Sequence, residues 1–188
     1  MYSNKILGMM VAWLLLLCSC GSKNNGQQEL ESLWSINEFI IDQHNQKVGE
    51  PIVLTKIVTL NGKTDTTYEA LDQVDWATVF KIFGATDISH PKYASQYTVS
   101  NFDDNFLEMS SLIYTAKDPN LFVQRVDINY DNETMKISSI YISTNKDNWL
   151  KQKQQQLIYD VNKKILINEN ESSRWGKDKE LTIEYKFP

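Results

Sequence analysis

The sequence predicts an α+β domain in which two N-terminal helices pack on an antiparallel β-meander of about six strands. Three observations predict it. Two early stretches carry apolar residues at helical spacing, and the C-terminal half is a series of strand-like runs divided by Asn, Asp and Pro. Between the two helical stretches, Asn61-Gly62 separates two runs rich in β-branched residues. A strongly twisted sheet of that size can curl around a helix as an open half-barrel.

The first helix is expected in "QQELESLWSINEFIIDQHNQKVGEP", where Leu30, Leu33, Trp34, Ile36, Ile40 and Ile41 approximate one buried face. Glu29 and Glu31 near its start and Lys47 near its end suit the helix dipole, and Gly49 and Pro51 stop it. Strands follow near 52–60 and 63–69, joined at Asn61-Gly62, because both central residues of a type I′ turn need positive φ. "LDQVDWATVFKIFG" returns to helical spacing through Leu71, Val74, Val79, Ile82 and Phe83. Asp72 or Asp75 is its N-cap candidate and Gly84 its C′ candidate.

From about residue 95 the texture is that of strands. "FLEMSSLIYTA", "NLFVQRVDINY", "TMKISSIYIST" and "ELTIEYKF" are divided by the turns "KDPN", "YDNET" and "TNKDN". The last strand places Leu181, Ile183, Tyr185 and Phe187 on one face. "NWLKQKQQQLIYDVNKKILIN" admits helix or strand, and its neighbours favour a hairpin with Gln152, Gln154 and Gln156 on a wet face.

The chain has 188 residues, which suits one domain behind a leader. With 41% apolar and 11% aromatic residues, it has the material for a packed core. The formal charge is −5, and it becomes −6 without residues 1–19, whose only charged residue is Lys5. Arg125 and Arg174 are the only arginines. An acidic, Arg-poor surface excludes a phosphate-tracking nucleic-acid binder, which needs a basic stripe.

Cys18 and Cys20 are the only cysteines, and they sit at the end of an apolar run from Ile6 to Leu17. Twelve residues are too few for a spanning helix, which needs about 20, but they match the apolar region of a signal peptide behind a basic start. The run ends in Leu17-Cys18-Ser19-Cys20, which resembles the lipobox of bacterial lipoproteins. Position by position, Leu17 matches −3, Cys18 matches −2, Ser19 matches −1 and Cys20 matches the acylated +1 site; Cys at −2 departs from the more usual Ala or Thr. The resemblance implies a signal peptide over 1–19, cleavage between Ser19 and Cys20, and lipid attachment at Cys20. It also implies a mature chain without a thiol, since Cys18 leaves with the leader. Gly21, rather than the Asp of inner-membrane retention, implies sorting to the outer membrane, on an undetermined face. Residues 20–28 then form a flexible polar tether and 29–188 a single domain. The Asn- and Lys-rich usage and strand-heavy C-terminal half look like the small uncharacterised lipoproteins of Bacteroidetes, a likeness that carries location and no activity.

The residues that could carry chemistry are few. His44 and His90, with Asp42 and Asp87, could be imagined as a metal site, but they lack the converging spacing of zinc ligands, and no metal is expected. Asp127, Asn129 and Asp131 start a calcium-loop pattern that fails at Asn132 and Ser138, so a β-turn is expected instead. Asp103 and Asp104 are adjacent, point to opposite faces of any strand, and read as a solvated turn. With no serine elbow and no phosphate-cradling glycine array, the sequence names no catalytic residue and no cofactor.

Trp34, Trp76, Trp149 and Trp175 read mainly as core; Trp175, beside Arg174 in "NENESSRWGKDK", is the candidate partner contact. "DTT" at 65–67 resembles the O-glycosylation site of Bacteroidetes envelope proteins, with Thr66 as acceptor. The expected function is therefore a non-enzymatic binding or scaffold module, held at the membrane by its lipid and engaging an envelope protein, glycan or lipid. The alternative is a carrier or sensor of an apolar ligand, such as a lipid or acyl chain, in a half-barrel cavity.

Overall fold

The computed structural model describes residues 33–104, 106 and 108–188. The expected leader, tether, cleavage site and Cys20 lie outside these residues.

Helix α1 covers Ile36–Lys47. Ser35 caps it, its hydroxyl accepting from the Glu38 amide at 3.2 Å. Ile36, Phe39, Ile40, Gln43 and Lys47 form its buried face. Ile41, expected on that face, is instead 50% exposed. The helix ends where Gly49 adopts φ 86°, the left-handed conformation that glycine takes at least cost. Strands β1 (Val53–Leu60) and β2 (Lys63–Ala70) form the expected hairpin, with φ of 50° at Asn61 and 79° at Gly62. After a 3₁₀ turn at Leu71–Gln73 comes α2 (Trp76–Gly84), capped by Asp75 through the Thr78 amide at 3.1 Å. Gly84 is not a C′ residue. It is the last residue of the helix, and a Cβ there would lie 2.6 Å from Asn37 Oδ1 on α1. Among the described residues, no helix is long and apolar enough to cross a membrane.

The remaining strands are β3 (Tyr97–Asp104), β4 (Met109–Ala116), β5 (Val123–Asp131), β6 (Ile137–Asp147), β7 (Lys151–Asp160), β8 (Lys164–Ser173) and β9 (Lys179–Lys186). All nine strands join one antiparallel sheet in the order β2-β1-β9-β8-β7-β6-β5-β4-β3. The sheet is open, with β2 and β3 as its edges.

This corrects the expected fold of two helices on a meander of about six strands. The β1–β2 hairpin joins the meander through β1–β9 pairing, with Leu60 opposite Leu181 and Thr55 opposite Lys186, and the sheet has nine strands. β3 is not among the strand runs singled out in the sequence, which offered only a turn at Asp103 and Asp104. As an edge strand it is exposed along most of its length, so neither face demanded apolar residues. Asp103 and Asp104 are its last two residues rather than a turn. The glutamine-rich segment is strand β7, and Gln152, Gln154 and Gln156 are all exposed.

Both helices pack on one face of the sheet. Its core rows run across the register: Tyr114, Val126, Ile142, Leu157 and Ile167 in one, and Ile128, Ile140, Tyr159, Ile165 and Tyr185 in the next. Phe39 of α1 and Phe83 of α2 meet the Tyr159 ring at centroid distances of 5.4 and 6.4 Å, both edge-on. Farther along the same face the sheet turns polar, with Lys153 bound to Glu169 at 2.8 Å and Lys151 to Glu171. On the opposite face Ile113, Tyr141, Ile158 and Leu166 are only half-buried.

Tyr159 is fully buried, and its hydroxyl has no partner among the described residues. Burial also pushes its pKa well above the usual phenol range. An unpartnered buried hydroxyl costs about 1–3 kcal/mol. Tyr159→Phe should therefore raise the urea-unfolding free energy by about 1 kcal/mol, whereas Tyr159→Ala should lower it by about 3–5 kcal/mol by opening a cavity. A destabilised Phe variant would show that the hydroxyl is satisfied in the folded protein.

Candidate functional site

The meander brings four turns to one end of the sheet: those after β1, β4, β6 and β8. Two of them are fastened together. Asn148 closes the turn after β6, its side-chain oxygen accepting from the Leu150 and Lys151 amides at 3.0 and 2.9 Å. The Arg174 amide, in the turn after β8, donates to the Leu150 carbonyl at 3.0 Å. Asp178 braces that second turn by accepting from the Ser172 hydroxyl and the Ser173 amide at 3.0 and 3.1 Å. The turn after β1 is tied in as well, since Asn61 and Glu180 exchange hydrogen bonds of 2.9 Å.

On this braced end Trp149 and Trp175 stand 73% and 82% exposed. Beside Trp149 a hollow of about 550 Å³ is lined by residues including Asn120, Asp147, Asn148, Lys151, Ser172 and Arg174. A second hollow, of about 470 Å³, continues over Gln152, Gln154, Asn170, Asp178 and Glu180. The surface thus combines two large aromatic side chains with amides, hydroxyls and charges of both signs. It is suited to grip a polar partner surface through buried rings and many hydrogen bonds.

The structure does not bring the histidines together. His44 lies on α1 among aromatic rings, 5.0 Å from Trp76 and 5.1 Å from Phe80. His90 is exposed and caps the 3₁₀ turn Pro91–Gln96, its Nδ1 accepting from the Lys92 amide. Among the described residues no group of three His, Cys, Asp or Glu is placed to hold a metal. Asp42 accepts from the Gln46 amide group at 2.6 Å.

Asp87 has a structural task. One carboxylate oxygen accepts from the Ser35 hydroxyl and the Asn37 amide at 2.9 and 3.0 Å, and the other from the Ser89 amide at 2.8 Å. It thereby ties the segment after α2 to the start of α1. Burial pushes its carboxyl up, but the hydrogen bonds from Ser89, Asn37 and Ser35 together outweigh this and hold it below the usual range.

Other sequence candidates disperse. Asp127 pairs with Arg125 at 2.6 Å, and Asn129 bonds Ser111 and Ser139 on neighbouring strands. Asp131 closes the following turn by accepting from the Thr134 amide at 2.7 Å. Asp103 accepts from the Ser110 hydroxyl at 2.6 Å. Thr66 is exposed on edge strand β2. Trp34 and Trp76 serve the core as expected, whereas Trp149 does not. Its position between Asn148 and Leu150 in a polar turn was the available sign that it would be exposed.

No protein-family model matches the chain, and neither a curated protein sequence nor a solved structure matches it.

Because the Asp87 pKa is depressed, its contribution to stability is full above the ordinary carboxyl value of about 4 and is lost as pH falls through the folded value. Asp87→Asn should cost about 1–3 kcal/mol at pH 7 and little at pH 2.5, read from urea melts at both. An equal loss at both pH values would show that the charge has no role.

Proposed function

We propose that this chain is a lipid-anchored envelope protein that acts as a non-enzymatic binding or scaffold module and engages its partner with the braced turn end of the sheet. One observation carries the binding reading: Trp149 and Trp175 are held out in solvent on turns that hydrogen bonds fasten to each other. A tryptophan contributes about 150–250 Å² of contact when covered, and tryptophan and arginine are enriched among residues that dominate binding energy. Arg174 sits in the same turn. Bracing matters because a turn that is already ordered loses little freedom on binding.

The anchoring part rests on Leu17-Cys18-Ser19-Cys20 behind its short apolar run. Acyl chains on Cys20, at about 0.8 kcal/mol for each buried CH₂, would hold the domain at a membrane. Gly21 favours the outer membrane. The carrier alternative was expected to use a cavity between helices and sheet, and that layer is filled by Phe39, Phe83, Tyr159 and their neighbours.

A photo-crosslinking amino acid at Trp175, introduced in the source organism, should give a discrete adduct that Arg174→Ala together with Trp149→Ala weakens at least fivefold. The same probe at exposed Lys81 should give none; equal adducts at both positions would sink the reading. Trp175→Ala should leave stability within about 0.5 kcal/mol, as expected for an exposed side chain. Separately, Cys20→Ala should release the chain from membranes and abolish labelling by a palmitate analogue. A variant that stays bound and labelled would refute the anchor.

A further inference from the structure

At the other end of the sheet, where α1 gives way to β1 and β2 to α2, the chain walls a cleft of about 650 Å³. The connection after α1 is held by backbone hydrogen bonds. The Glu50 amide donates to the Lys47 carbonyl at 3.1 Å and the Ile52 amide to the Glu50 carbonyl at 2.8 Å. Across the cleft, the Leu71 amide donates to the Ile52 carbonyl at 2.9 Å, so the two walls are joined. The Trp76 indole N–H donates to the Leu71 carbonyl at 2.9 Å, which fixes the ring against the floor. His44 stands edge-on to it, at 63°.

The walls are apolar, chiefly Val48, Pro51, Ile52, Val53, Leu71 and Trp76. The ionisable residues in the lining are His44, Glu50 and Asp72, and no lysine or arginine is among them. Two lysines of the adjoining elements are engaged elsewhere. Lys47 bonds Asn162 and lies over Phe187, and Lys56 pairs with Glu69 at 2.9 Å. The site therefore combines a formed hydrophobic hollow of ligand size with two carboxylates that have no cation in the lining.

We propose that this cleft binds a small organic cation, an ammonium group carried on an apolar, arylalkyl-sized body. The body replaces water against Trp76, Leu71 and Ile52, and the ammonium lies at the mouth within the field of Glu50 and Asp72. A matched anion meets two like charges and loses. The site lies away from the tryptophan-bearing turns and does not depend on their role.

The test uses the full chain and three probes that differ in their head group: phenethylammonium, 2-phenylethanol and 3-phenylpropionate. Binding is read from the amide NMR shifts of Gly49, Val53 and Leu71. Phenethylammonium should bind at least about threefold more tightly than the alcohol and at least about tenfold more tightly than the carboxylate, as expected for partly exposed charges. Glu50→Gln with Asp72→Asn should bring ammonium binding within about twofold of the alcohol's and leave the alcohol unchanged, which shows that the cleft is intact. Val53→Trp should block all three probes, and Trp175→Ala should affect none. Carboxylate binding equal to that of the ammonium, shifts confined to other residues, or an unaltered double variant would overturn the proposal. Tighter binding of Nα-acetyl-lysine methylamide than of phenethylammonium would also overturn it, assigning the cleft to a lysine of a protein partner.

Discussion

The meeting of Phe39 and Phe83 on Tyr159 is the contact on which the arrangement depends. It joins a small helical layer to a large sheet. Nine strands at about 4.8 Å spacing make a sheet nearly 40 Å wide, while helices of 12 and 9 residues are about 18 and 14 Å long. Among the described residues, two such helices cannot cover that sheet. The part beyond them differs in chemistry. On the helix-facing side apolar rows give way to Lys153–Glu169 and Lys151–Glu171, and strand edges are exposed at both sides.

The division of the sheet explains how the two sites differ. Near the helices, backbone turns and aromatic rings line an open apolar cleft, with acidic residues in its lining. At the far end no helix among the described residues packs on the sheet, and the turns are stabilised by one another through Asn148, Asp178, Asn61 and the Arg174–Leu150 bond. Ordered turns that lack a hydrophobic cover can carry exposed rings without collapsing onto them. Asp87 does corresponding work among the helices, fixing the entry to α1 from a distant segment.

Much of the local structure was legible in the residues. Asn61-Gly62, the Asp75 cap, the stop at Gly49 and the exposed glutamines of β7 all express short-range rules that act within a few residues. What was illegible was long-range. Nothing in β1 or β9 alone says that they pair, and the expected sheet of about six strands was too small. β3 was not singled out, and as an edge strand it is exposed along most of its length. Trp175 stood out within its polar loop, whereas Trp149 was taken with the core tryptophans. The cleft was invisible because its walls come from two segments that read singly as a helix end and a turn. Gly84 showed the same limit: its spacing suggested a cap, but the close approach of Asn37 is a tertiary fact.

The β1–β9 pairing also stands apart in sequence separation. Every other strand contact joins sequence neighbours, so the stretch from β3 to β9 can assemble one hairpin after another with short loops to close. The β1–β2 hairpin likewise nucleates at its own turn. Joining the two requires Leu60 to find Leu181 and closes a loop containing most of the chain, the costliest closure in the molecule. α1 and α2 flank that hairpin in sequence, while their aromatic contacts fall on Tyr159 of β7. The cleft, built where the ends of this hairpin meet the ends of α1 and α2, is therefore tied to a strand pairing that spans most of the chain.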